Sequence, residues 1–107
     1  MIELNYRAFR EKVSKEFKKM KINIISKKLK AVSSLKRLLI IRKLKSSKRS
    51  TNSEIASYIN LSYKSTNRHL QVLINSEIIN NETVNGYVVF FLNKNQEGFI
   101  KNVIKNL

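Results

Sequence analysis

The apolar positions of this chain fall into runs of two kinds, most at helical spacing and one short set at strand spacing. Tyr6, Phe9, Val13, Phe17 and Met20 are three or four apart, which predicts an amphipathic helix over residues 3–21. Ile22, Ile25, Leu29 and Val32 continue an apolar stripe up to Ser33-Ser34, and these serines either start a new helix or interrupt a long one. Leu35–Leu44 predicts a strongly buried helix, because Leu38, Leu39, Ile40 and Ile41 leave little of its circumference polar; the basic run from Arg42 to Arg49 ends it. Thr51-Asn52-Ser53-Glu54 has the spacing of a capping box and opens a helix that buries Ile55, Ala56 and Ile59. Asn60-Leu61-Ser62 reads as a three-residue turn, since Asn tolerates the left-handed conformation that closes a helix. A further helix, Ser62–Leu73, has Ser62 as its cap and Thr66, Leu70 and Leu73 as a narrow anchoring stripe. Asn85-Gly86 between β-forming residues predicts a hairpin with a type I′ turn, Val84, Val88, Phe90 and Leu92 alternating inward. From Gln96 to Leu107 a last stripe comprises Phe99, Ile100, Val103, Ile104 and Leu107.

Two short helices across a tight turn make a helix-turn-helix, with the second as the reader. Off the stripe of that second helix stand Tyr63, Lys64, Ser65, Asn67, Arg68 and Gln71, all hydrogen-bond donors. A cationic, donor-rich face suits the acceptor-rich major groove of DNA. The same face also fits an ordinary solvated helix, and the neighbouring elements favour the first reading: helix, turn, helix, hairpin is the winged-helix order.

The segments Leu29-Lys30-Ala31-Val32 through Arg37 and Ile40-Ile41, Glu54-Ile55-Ala56, Leu61-Ser62 and Arg68-His69-Leu70-Gln71-Val72-Leu73 occur in an order and spacing that resembles the ArsR-type winged-helix transcriptional repressors. The resemblance runs from about Leu29 to Leu92 and is densest at Arg68–Leu73. It implies a homodimer, built by the first and last helices, that binds an operator and is released by an effector. Two positions depart from the family pattern: Asn67 stands where Ser is usual, and Glu77 where Gly usually precedes the first wing strand.

Charge sharpens the expected partner. The net charge is +15, with Asp absent; residues 1–50 carry 17 Lys and Arg against three Glu, and residues 51–107 carry five against four. Such an excess suits a polyanion, most commonly nucleic acid. Residues 42–49 both complement the dipole of the helix they end and sit where phosphate contacts are expected, Lys48 and Arg49 above all. The basic first helix also suits an anionic membrane surface, but its evenly spaced aromatics favour packing against a partner helix. The wing tip has no Lys or Arg, which predicts little contribution to minor-groove binding.

Composition argues against several other classes. Zero Cys excludes disulfides and thiolate metal sites and is compatible with a cytoplasmic protein. There is no apolar run of membrane-spanning length and no signal-peptide pattern. One His, no Asp and no Gly-rich phosphate loop leave no catalytic set, so an enzyme is not expected, nor is a metal or other cofactor. The metal-ligand positions of the family's sensors, in the helix before the reader and in the last helix, hold no Cys, His or Asp here, and the effector is unknown.

The expected fold is mainly α with a small β-hairpin wing (α+β): a winged helix-turn-helix in a single domain, with an N-terminal helical dimerisation region (1–32), a core (33–93) and a C-terminal helix (96–107). The expected function is sequence-specific recognition of double-stranded DNA as a homodimeric repressor. The expected DNA contacts are Ser62, Tyr63, Lys64, Ser65, Asn67, Arg68, Gln71, Lys48, Arg49 and Thr51, and the expected dimer interface is Phe9, Val13, Phe17, Met20, Phe99, Val103 and Leu107. The alternatives are a non-specific nucleoid-type protein carried by the basic N-terminal half, and a winged-helix module that docks a protein.

Overall fold

The computed structural model describes residues 2–107, and the side chains of these apart from residues 2–4, 13 and 16–20. The side chains of Val13, Phe17 and Met20, expected at a dimer interface, lie outside the described residues. The elements run α1 (Ile2–Val32), α2 (Leu35–Ser47), α3 (Asn52–Ile59), α4 (Tyr63–Asn75), β1 (Ile79–Val84), β2 (Tyr87–Leu92) and α5 (Gly98–Lys105). Among the described residues, no helix is long and apolar enough to cross a membrane.

Ile2–Val32 form one helix, and the two serines end it. Ser33 Oγ donates to the Lys30 carbonyl (2.9 Å), while Ser34 turns extended and its hydroxyl accepts from the Arg37 N–H (3.4 Å), capping α2. At about 1.5 Å per residue the 31 residues of α1 span about 46 Å. Among the described residues of this helix, those that pack on the body are at its C-terminal end: Ile25, Lys28, Ala31 and Val32. Tyr6, Phe9, Ile22 and Leu29 are all at least half exposed.

Every element contributes to one core: Ala31 and Val32 from α1, Ile40, Ile41 and Leu44 from α2, Ile55 and Ile59 from α3, Leu70 and Leu73 from α4, Ile79 and Phe90 from the hairpin, and Ile100 from α5. The helix-turn-helix forms as its caps dictate. Thr51 Oγ1 accepts from the Glu54 N–H (3.3 Å) and Glu54 Oε1 accepts from the Thr51 N–H (3.0 Å). Asn60 takes the left-handed conformation (φ 56°), and the Leu61 N–H returns to the Ala56 carbonyl at 3.1 Å. Ser62 then caps α4 by accepting from the Ser65 N–H at 3.1 Å.

The hairpin closes through Asn85 and Gly86 at φ 52° and 82°, as a type I′ turn requires. Its inward set differs from the expected one. The antiparallel register pairs Ile79 with Leu92, Asn81 with Phe90 and Thr83 with Val88 on one face, and Val84 with Tyr87 on the other. Val84 therefore points away from Phe90, and Val84 and Val88 are both exposed because the distal half of the wing extends past the core. Only Ile79, Phe90 and Leu92 reach the core. Glu77, just before the wing, has φ 60°, a conformation that glycine adopts without strain.

Candidate nucleic-acid interface

α4 is divided lengthwise. Thr66, Leu70 and Leu73 are fully buried and hold the helix to the body, while Tyr63, Lys64, Asn67, Arg68 and Gln71 are exposed. Ser62 is exposed and Ser65 half-buried, each engaged through the cap. The exposed residues form two rows at i, i+4 spacing. Tyr63, Asn67 and Gln71 line a groove of about 470 Å3 together with Thr51, Asn52 and Ser53 at the start of α3 and Asn81, Gly86, Tyr87, Val88 and Phe90 of the wing. Lys64 and Arg68 are absent from its lining and form the adjacent row. Among the described residues no charged side chain lines the groove, which offers amides, hydroxyls and two phenols beside the apolar Val88 and Phe90. Asn52, nearly buried beside it, donates from Nδ2 to the Tyr63 carbonyl (3.4 Å) and ties the start of α3 to the start of α4.

The basic cluster after α2 divides according to partners. Lys43 lies over the Tyr58 ring at 5.7 Å, and Lys45 Nζ donates to the Lys105 carbonyl at 3.1 Å. Arg49 forms an ion pair with Glu82 on β1 and stacks over Phe91 on β2, with its guanidinium 5.4 Å from the ring centre. The fold thus places a cation against a wing whose own tip has none. Arg42 and Lys48 have no ion pair or side-chain hydrogen bond among the described residues, and Lys48 is exposed at the left-handed end of α2 (φ 69°). Thr51 remains near the interface with its hydroxyl committed to the capping box. That double hydrogen bond from Thr51 holds the Glu54 carboxyl below its ordinary range, with a smaller contribution from Lys43.

Behind the reading face His69 is half-buried, and Arg37 Nη1 lies 3.1 Å from its Nδ1. Burial, and then the charges of Arg37 and Lys36, lower its pKa and keep the ring neutral. Of the residues expected at a dimer interface, Phe9 is exposed, Val103 half-buried, and Phe99 and Leu107 pack partly on the chain's own core beside Ile100. Sequence reasoning missed Tyr87 and Asn52. Tyr87 adjoins the Asn-Gly turn and was the exposed aromatic available to the wing, while Asn52 sits inside the capping box, where nothing in the pattern marks burial. Among the described residues no group of three His, Cys, Asp or Glu stands close enough to hold a metal ion.

This is a winged helix-turn-helix protein, mainly helical with a two-stranded wing. No protein-family model matches the sequence, and no curated protein matches it. Solved structures do. HlyU from Vibrio cholerae N16961 superposes with a TM-score of 0.68 at 22% identity, over 80% of this chain and 89% of that one. The homodimeric winged helix-turn-helix DNA-binding domain Mb0332 from Mycobacterium bovis, described as a possible ArsR-family transcriptional regulator, gives 0.70 at 15% identity, over 83% and 76%. The transcriptional repressor PagR of Bacillus anthracis gives 0.68 at 16% identity, over 81% and 95%. The ArsR-type likeness expected from the motifs is thus matched in three dimensions, and at these identities it carries the fold.

Proposed function

We propose that this chain is a sequence-specific, double-stranded-DNA-binding transcriptional regulator that acts as a homodimeric repressor and reads the major groove with α4. The observation that carries this reading is the division of α4: a fully buried Thr66/Leu70/Leu73 edge, and an exposed face with Asn67 and Gln71 in one row and Lys64 and Arg68 in the next. Asn and Gln amides match the donor–acceptor edge of adenine, while Arg and Lys match guanine or phosphate. Lys48 and Arg42 supply unpaired positive charge for phosphates at the end of α2. The regulators and repressors of the same fold support the biological role, and the homodimeric state of the Mycobacterium bovis domain supports the assembly. Residues 1–32 and 96–107 serve the dimer in this reading, and residues 33–93 serve recognition. Selection of bound sequences from a random duplex pool tests it: an inverted repeat with half-sites about 10–10.5 base pairs apart, or a multiple of that, is expected. Recovery of unenriched sequence would favour non-specific binding, the reading suggested by the positive charge of residues 1–50.

A further inference from the structure

The groove of about 470 Å3 beside α4 is continuous with the reading face, because Tyr63, Asn67 and Gln71 belong to both. Its other walls come from the start of α3, with Ser53, and from the wing, with Asn81. The capping box engages Thr51 and Glu54 and leaves the exposed Ser53 hydroxyl without a partner among the described residues. Asn81, exposed and paired in register with Phe90, gives its backbone N–H to Asn80 Oδ1 (2.8 Å), and its side-chain amide is without a partner among the same residues. Asn52 ties the walls together. It is 5% exposed, its Nδ2 donates to the Tyr63 carbonyl, and its Oδ1 is buried with no hydrogen-bond partner.

A helix seated in a major groove leaves little room beside it. With its side chains it is about 10–12 Å across and the groove about 12 Å wide, so the two bounding sugar–phosphate strands run alongside it. On the wing side of α4 the bounding strand meets the Ser53/Asn81 groove. No cation lines that groove among the described residues, so a phosphate there meets neutral donors. Hydroxyls and amides are ordinary partners of phosphate oxygens. Asn52 Oδ1 is itself an acceptor, and a water that donates one hydrogen to it and the other to the phosphate satisfies both.

We propose that the groove between α3, α4 and the wing seats one sugar–phosphate strand of the duplex, where Ser53 and Asn81 hold a phosphate as neutral donors. The inference rests on the DNA-reading assignment above and adds to it two contacts of a third kind. Base contacts are sequence-selective, and cation–phosphate contacts are salt-dependent. These two are neither. A neutral donor leaves the phosphate charge in place and releases no counterion, so its contribution persists at salt concentrations where that of Lys48 declines.

The test measures binding of the full-length chain to its selected duplex and to random duplex between about 50 and 200 mM salt. Ser53→Ala and Asn81→Ala, both at exposed positions, are each expected to weaken the two duplexes alike, about three- to tenfold, with an unchanged salt slope. A methylphosphonate placed at one position at a time in the selected duplex then neutralises single phosphates and leaves every base in place. At one position, or two adjacent ones, the wild type is expected to lose affinity and both variants to lose about threefold less. Wild-type affinity in both variants, losses confined to the selected duplex, a slope lower by about one, or full additivity at every phosphate overturns the seat. In each of those results the wild type still binds DNA, so the DNA reading stands. A wild type that binds no duplex overturns that reading, and the seat falls with it.

Discussion

Arg37 and His69, 32 positions apart in sequence, meet side chain to side chain: Arg37 Nη1 donates to His69 Nδ1 at 3.1 Å. A guanidinium can only donate, so Nδ1 accepts and the ring proton sits on Nε2. The same guanidinium donates from Nε to the Ala31 carbonyl (2.6 Å) and from Nη2 to the Lys30 carbonyl (3.2 Å). One side chain thus closes the C-terminal end of α1 and supports the middle of α4. Arg37→Ala is expected to cost about 1.5–3 kcal/mol in urea unfolding, and Arg37→Lys most of that, because an ammonium cannot reproduce the planar fork.

The same contact sets a pH dependence. His69 has a folded pKa below its ordinary 6.5. As pH falls through 6.5 the unfolded chain takes up a proton that the folded chain refuses, so stability declines from there down to the folded pKa and levels off below it. Unfolding midpoints measured across this window are expected to fall in the wild type and to fall less in His69→Gln. Glu54, also lowered, adds a separate loss that begins near its ordinary 4.5.

Glu77 holds a positive φ of 60° directly before the wing. A left-handed residue with a Cβ costs about 1–2 kcal/mol, and glycine returns part of that saving as backbone entropy. Glu77→Gly is therefore expected to stabilise the fold by about 0.5–1 kcal/mol, read as a higher urea midpoint at unchanged slope. A lower midpoint would mean that the Glu77 side chain contributes more than its backbone costs.

Reader and phosphate contacts are expected to leave different signatures in binding assays. Asn67→Ala should cost about 1–3 kcal/mol on the selected site and far less on random duplex. Lys48→Ala should weaken both alike and lower the salt slope by about one. Arg68, in the row outside the wing groove, discriminates between the two behaviours. Uniform losses for all three variants would point to non-specific binding, and no loss for any of them to a protein-docking module.

Arg49 is held by Glu82 and Phe91 and is therefore partly neutralised at the wing. Glu82→Gln is expected to leave the guanidinium over the ring, free for a phosphate. Affinity for random duplex should rise about two- to fivefold, with a salt slope larger by about one. Unchanged affinity would show that the wing does not approach the backbone of DNA.

Tyr6 and Phe9 of α1 are each 66% exposed. Isolated helices are marginal in water, and exposed aromatic stripes call for a partner. Phe9→Asp and Val103→Asp are expected to yield monomer or insoluble protein by light scattering, whereas a stable wild-type monomer at micromolar concentration would end the dimer reading.

Local patterns carried most of this fold. The capping box at Thr51 and Glu54, the Asn60 turn, the Ser62 cap and the Asn85-Gly86 hairpin all formed where the residues placed them, because each depends on atoms within four positions of one another. The Thr66/Leu70/Leu73 edge was legible for the same reason: helical periodicity fixes a face without reference to the rest of the chain. Other features depended on residues distant in sequence. Whether Ser33-Ser34 ends a helix was settled when Arg37 took the carbonyls at the end of α1. The exposure of Val84 and Val88 depends on how far the wing outreaches the core, a length that strand alternation does not encode. Arg49 looked like a free cation until the hairpin brought Glu82 and Phe91 to it. Charge and polarity are properties of a residue, whereas its partners and burial are set by the packing of the whole chain.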